Sequence, residues 1–198
     1  MRRGTFFHQV VLLTPQSSDQ LNAMPQTRKT QKQIVIISCG KKKLSRPAPA
    51  SELYTGAYFK TLLGYALSIA AAEDVFILSS KYGLVRIEKR LKPYDLKMGE
   101  AGSIELRTLK RQAKRLGIAS RGVIALGGKL YTGMIRKVWE SVEAPLEGKG
   151  GLFQQRAWLI GEMNKADQKG HEDQQRDKMV NEPTKARPLH KREDKQCP

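Results

Sequence analysis

The apolar positions of this chain fall into three short solid runs, with stretches of helical spacing between and after them. The first run, Ile34-Val35-Ile36-Ile37, is uninterrupted and β-branched, the pattern of a strand buried on both faces. Val75-Phe76-Ile77-Leu78-Ser79 and Val123-Ile124-Ala125-Leu126 repeat it. From Ala57 to Ala72, the residues Phe59, Leu62, Leu63, Ala66, Ile69 and Ala70 recur at 3.6 spacing and predict a helix. A second helix is expected from a Ser103 cap to Leu116, with a stop at Gly117 and a stripe of Leu106, Leu109, Ala113 and Leu116. Residues 130–140 and 153–163 read as two more helices. Residues 44–51 are a proline-broken loop, 84–102 are irregular, and 145–152 form a glycine-rich loop. Strands alternating with helices predict an α/β fold, a three-layer sandwich with a small, mainly parallel sheet and helices on both faces.

This pattern confines the folded body to one domain over residues 32–163. Residues 1–31 read as a disordered leader. Its apolar stretch is interrupted by His8 and Gln9, and no cleavage site of the small-x-small kind follows, which argues against a signal peptide. Met24 offers an alternative start. Residues 164–198 are polar and mixed in charge, and read as a disordered tail. No apolar run approaches the roughly 18 residues of a membrane span. With only Cys39 and Cys197, a disulfide framework is not expected, and a reducing cytoplasm fits.

Charge changes the picture once it is located. Of the net +17, residues 25–163 carry 25 Lys and Arg against 11 Asp and Glu, a net of +14. The excess therefore belongs to the folded body, which points to a polyanionic partner such as nucleic acid or a nucleotide. In an open α/β sheet, ligands bind where strands end in polar loops. The first strand runs directly into Ser38-Cys39-Gly40-Lys41-Lys42-Lys43, a hydroxyl, a glycine and three cations suited to phosphate. The second ends in Ser79-Ser80-Lys81-Tyr82-Gly83 and the third in Gly127-Gly128. Ser38, Gly40, Lys41, Lys42, Lys43 and Lys81 are thus the candidate phosphate ligands.

Tyr54, Tyr82 and Tyr94 are candidates for stacking on a base or bonding a ribose, with core packing the competing reading. Asp95 is the only acid inside a motif and the candidate general base; an Asx turn or a helix cap is the alternative. Cys39 reads as a nucleophile or a small buried cysteine. The second is favoured because His8, His171 and His190 all lie in the tails, which also argues against a Cys/His metal site. No metal or cofactor is expected. Arg107, Lys110, Arg111, Lys114 and Arg115 share the polar face of the second helix, either as contacts to a nucleic-acid backbone or as a solvated face favoured by the helix dipole.

Four motifs stand in register: Ser38 to Lys43, Leu53-Tyr54-Thr55-Gly56, Leu78 to Leu84, and Pro93-Tyr94-Asp95. A closing segment carries Pro145-Leu146, Gly148, Gly150, Gln154, Gln155 and Trp158. Over about residues 33–160 this set resembles an uncharacterised domain family of bacteria and their phages, of unknown function. More distantly, the strand and the lysine and Leu-Tyr-Thr-Gly segments are similar to YaaA-like proteins, which bind DNA. They are also similar to accessory domains of tRNA-guanine transglycosylases, which share a uracil-DNA-glycosylase-like sandwich. The catalytic motifs of that glycosylase family are absent in recognisable form, so glycosidase chemistry enters as analogy. The expected function is a nucleotide- or nucleic-acid-processing protein with a phosphate-binding pocket, extending to N-glycosidic hydrolysis. The alternative is a non-catalytic DNA- or RNA-binding protein of the YaaA-like type.

Overall fold

Residues 32–180 are described by the structure, a computed structural model. In chain order the elements are β1 (Ile34–Ser38), β2 (Ala48–Pro49), α1 (Ala50–Leu53), α2 (Ala57–Ile69), β3 (Val75–Ser79), β4 (Gly83–Arg86), β5 (Arg90–Leu91), α3 (Leu106–Arg115), β6 (Val123–Leu126), α4 (Lys129–Arg136), β7 (Val142–Glu143) and α5 (Leu152–Val180), with a 3-10 turn at Ala72–Asp74 before β3. Five strands form one sheet in the order β4-β3-β1-β6-β7. β1 pairs in parallel with β3 and β6, β6 pairs in parallel with β7, and β4 is antiparallel to β3. β2 and β5 make a separate antiparallel pair.

The apolar run of β1 is solid because both its faces are covered. Val35 and Ile37 join a cluster with Phe59, Leu62 and Ala66 of α2 and Leu159 of α5. Ile34 and Ile36 join a second cluster with Leu109 and Ala113 of α3, Ile135 of α4 and Trp139. None of the four is more than 1% exposed. The three strands and the order of their helices follow the sequence reading, so the chain is mixed α/β with a mostly parallel sheet.

Several features differ from the sequence reading, among them the 44–51 loop, which holds the two-residue β2 and the start of α1. The segment after β3 contains β4, an edge strand formed by folding straight back. Gly83 turns the chain at φ +72°, and Gln112 of α3 clamps the turn by accepting from the Leu84 N–H and donating to the Tyr82 carbonyl, both at 2.9 Å. α3 starts after Glu105, because the Ser103 hydroxyl is used by the preceding turn, where it accepts the Gly99 N–H at 3.2 Å. α4 ends at Arg136; the chain then buries Trp139, which donates to the Ile118 carbonyl at 2.9 Å, and enters β7. α5 continues past Met163 to Val180. That extension is rich in Lys, Glu, Gln and Asp with no proline, and the straight-chain residues among them hold a helix without an apolar stripe. The expected leader, residues 1–31, and the rest of the expected tail, residues 181–198, lie outside the described residues. Among the described residues no helix is long and apolar enough to cross a membrane.

Candidate functional site

The carboxyl ends of β1, β3 and β6 lie side by side; β1 and β3 end on serines, and Gly127 directly follows the last residue of β6. Ser38 is buried against Gly127: a Cβ on that glycine would stand 2.8 Å from the Ser38 Cβ. Gly40 sits closely too, though with more room: an added Cβ would lie 3.3 Å from the Tyr54 Cβ and 3.4 Å from that of Phe59. A larger residue at this position would press the loop against α2 and its preceding turn. The lysine run bends at Lys41 and then runs alongside the turn before α2. Lys43 bridges Tyr54, Leu44 donates to the Leu53 carbonyl at 2.9 Å, and Thr55 donates to the Lys42 carbonyl at 3.0 Å. The first two motifs of the sequence are thus one hydrogen-bonded unit.

Beneath this unit lies a network of hydroxyls centred on Tyr94. Its hydroxyl meets Ser79 Oγ at 2.8 Å and the Tyr54 hydroxyl at 3.0 Å, and donates to Cys39 Sγ at 3.6 Å. Ser79 Oγ also accepts the N–H groups of Lys81 and Tyr82, at 3.3 and 3.1 Å. With its lone pairs so engaged, Ser79 has its proton to give to Tyr94. Cys39 Sγ lies 3.2 Å from the Tyr131 hydroxyl at the start of α4. Burial raises the pKa of Tyr54, Tyr94 and Tyr131 above the ordinary tyrosine value, with Cys39 as a further contributor in each case. All three keep their protons at neutral pH and remain hydrogen-bond donors.

This network supports a cleft of about 320 Å³ at the end of the central strand. Lys41, Lys43, Lys97 and Asp95 supply its charge; Cys39, Met98, Leu130 and Tyr131 supply much of the rest. Lys43 Nζ is held in place, 4.3 Å from the centroid of the Tyr94 ring, 5.8 Å from that of Tyr54, and 3.2 Å from the Lys41 carbonyl, to which it donates. Lys97 is shared with Glu100 at 3.6 Å. Asp95 is exposed, and its backbone is pinned on both sides: Tyr94 by the network, and Leu96 by its carbonyl, which accepts the Ser80 hydroxyl at 2.7 Å.

The structure brings together some of the expected residues and separates others. Lys41, Lys43, Gly40 and Asp95 meet in the cleft. Lys42 is exposed outside its lining. Ser38 is buried beside Gly127, away from the cleft lining. Lys81 is exposed, with its Nζ 5.7 Å from the Tyr82 ring. Tyr54 is wholly buried, its ring centroid 5.0 Å from that of Phe59, which leaves no face for a base. Tyr94 packs edge-on to Tyr82 at 5.4 Å, and Tyr82 donates to the Lys92 carbonyl at 3.1 Å. The five cations of α3, Arg107, Lys110, Arg111, Lys114 and Arg115, are all exposed and make no ion pair with any described residue.

A family model described as a family of unknown function (DUF6884) matches residues 34–160. The chain belongs to that family. No curated protein matches it. The DUF6884 span contains every residue of the cleft, the hydroxyl network and α3, and it ends inside α5 just after Leu159, the last residue of α5 in the core. Within that span sequence reasoning missed Tyr131, Lys97, Met98 and Leu130. The double glycine closing β6 was a signal for Tyr131, because it places the first turn of α4 beside the end of β1.

Proposed function

We propose that this DUF6884 protein processes a nucleotide or nucleic acid whose phosphate is held in the cleft by Lys41 and Lys43. The observation that carries this reading is that three lysines and one carboxylate, Lys41, Lys43, Lys97 and Asp95, line a single cleft at the carboxyl end of the central parallel strand. That is where open α/β sheets place ligands. The two apolar clusters on β1 support the three-layer arrangement that the reading assumes. Met98, Leu130 and Tyr131 give the cleft an apolar side suited to a base, replacing Tyr54 in that role.

The reaction that suits this arrangement is hydrolysis of an N-glycosidic bond in the cytoplasm. Asp95 accepts a proton from water as the water oxygen bonds to the anomeric carbon. The bond from that carbon to the base nitrogen breaks, its electron pair leaves with the base, and the base takes up a proton from solvent. Lysine charge nearby holds the phosphate.

Base release from oligonucleotides and free nucleotides, followed by mass spectrometry, tests this. The wild type is expected to release a base, and Asp95→Asn to lose that activity by about a hundredfold or more while still binding. If the wild type releases no base from any such substrate, hydrolysis is ruled out. The non-catalytic reading, a DNA- or RNA-binding protein of the YaaA-like type, is then favoured, and the exposed row of cations on α3, in no ion pair among the described residues, supports it. A log–log salt slope near zero for DNA and RNA alike would sink both.

A further inference from the structure

A second cavity, of about 480 Å³, opens on the other side of the first turn of α4. Lys129 lines it, whereas the next two residues, Leu130 and Tyr131, line the first cleft. Five of its ten lining residues are glycines: Gly127, Gly128, Gly133, Gly148 and Gly150. Gly127 has a packing reason and Gly148 and Gly150 have positive φ, at 75° and 79°. Gly133 has neither. It lies inside α4 with helical backbone, and a Cβ there would meet nothing within 4 Å. Glycine in a helix interior costs about 1 kcal/mol relative to alanine, and at Gly133 no contact within the described protein offsets it. Gly161 in α5 is equally open but lines neither this cavity nor the cleft, so it is the combination at Gly133 that is informative. Room at Gly133 serves whatever enters the cavity.

The chemistry of the walls says what enters. Lys129, Gly133 and Arg136 lie at i, i+4 and i+7, one stripe of α4 with a cation at each end. Arg136 is tied to Glu147 of the facing loop by two hydrogen bonds, the second 2.8 Å long. Gln155 of α5 fixes that loop by donating to the Gly150 carbonyl at 3.1 Å and to the Leu146 carbonyl at 3.4 Å. The cavity thus has net positive charge, a wall of bare backbone and a braced rim. Those features suit a phosphate group attached to something larger, and the volume falls within the ordinary range of ligand pockets.

We infer that this cavity binds a phosphate adjacent to the nucleotide held in the cleft, so that the ligand of this protein is a nucleic-acid strand and not a free nucleotide. The inference rests on the cleft being the nucleotide site. It gives the closing motif of the sequence, Leu146 to Gln155, a role in ligand binding.

The test is titration of wild type, Lys43→Ala, Lys129→Ala and Gly133→Leu with a mononucleotide and with short single-stranded oligonucleotides, each variant also being melted. Gly133→Leu puts a side chain into the cavity while improving helix propensity, so it should melt at or above the wild-type temperature. The wild type is expected to bind the strand about tenfold or more tighter than the mononucleotide, the worth of one charged hydrogen bond. Gly133→Leu and Lys129→Ala should lose that advantage and bind the mononucleotide as the wild type does. Equal binding of strand and mononucleotide by the wild type would overturn the inference and leave the cleft reading intact. So would wild-type strand affinity in Gly133→Leu. Strand binding that Lys43→Ala leaves unchanged would instead overturn the cleft, and the inference with it.

Discussion

Two glycines a short distance apart in sequence should respond to alanine with opposite signs. At Gly127, the new Cβ would stand 2.8 Å from the Ser38 Cβ and 3.0 Å from its Oγ. Carbon atoms in good contact sit about 3.5–4.0 Å apart, so the overlap is roughly an ångström. The Ser38 Cβ is fixed to the backbone of β1 and cannot swing away. Relief requires β6 to move from β1, although the two strands are paired in register from Ile34 with Val123 to Ile37 with Leu126. Overpacking of this kind costs about 1–3 kcal/mol. At Gly133 the same methyl group enters open space in a helix and should stabilise by about 1 kcal/mol. Urea titrations of Gly127→Ala and Gly133→Ala should therefore bracket the wild type, separated by about 2–4 kcal/mol with a common slope. If both variants move in the same direction, or if Gly127→Ala is as stable as the wild type, the close approach of β1 and β6 described above is wrong.

Three further outcomes are expected. Tyr94→Phe keeps the ring under Lys43 but strands the hydroxyls of Ser79 and Tyr54; it should lower stability by about 1–3 kcal/mol in denaturant titrations. The Arg136 guanidinium holds the Glu147 carboxyl below the ordinary glutamate value, so their pairing is complete above the ordinary range and is lost as pH falls through the depressed value. A carbon-detected NMR titration should place the Glu147 midpoint below that of an unpaired glutamate, and Arg136→Gln should return it upward. Tyr54, Tyr94 and Tyr131 have raised values in the fold, while an unfolded chain ionises tyrosine near 10.0. Above that pH the unfolded state binds fewer protons, so stability declines by about 1.4 kcal/mol per pH unit for each such tyrosine. Tyr54→Phe should show a correspondingly shallower decline in unfolding measurements taken across the alkaline range.

The sheet was legible in the sequence to the extent that burial is two-sided. Ile34 to Ile37, Val75 to Leu78 and Val123 to Leu126 are continuous apolar runs because parallel strands are covered on both faces. β4 and β7 are edge strands of four and two residues, and nothing in so short a run distinguishes them from loop. Their pairing is decided by neighbours, Gln112 in the case of β4. The end of α5 was missed for the opposite reason. Absence of an apolar stripe was read as absence of structure, although straight-chain polar residues favour the helix on their own.

The site divides in the same way. A strand ending in Ser-Cys-Gly-Lys-Lys-Lys announces its chemistry by composition, and the cleft does lie there. Which lysines face it is a matter of phase along the loop: Lys41 and Lys43 line the cleft and Lys42 does not, with Lys43 paired to Tyr54. Composition cannot supply that phase. Nor can it show that Tyr54 and Tyr94, which looked like ligand-facing aromatics, spend their hydroxyls on each other and on Ser79. The cation at Lys43 is positioned by those rings, so under the proposed function the tyrosines would act on a ligand through the lysine that they hold. A strand-end loop of three mobile lysines would bind phosphate weakly because each side chain must be ordered on binding. Here one of the three is ordered in advance, against two aromatic rings and a carbonyl, which makes Lys43 the residue whose loss should weaken phosphate binding most.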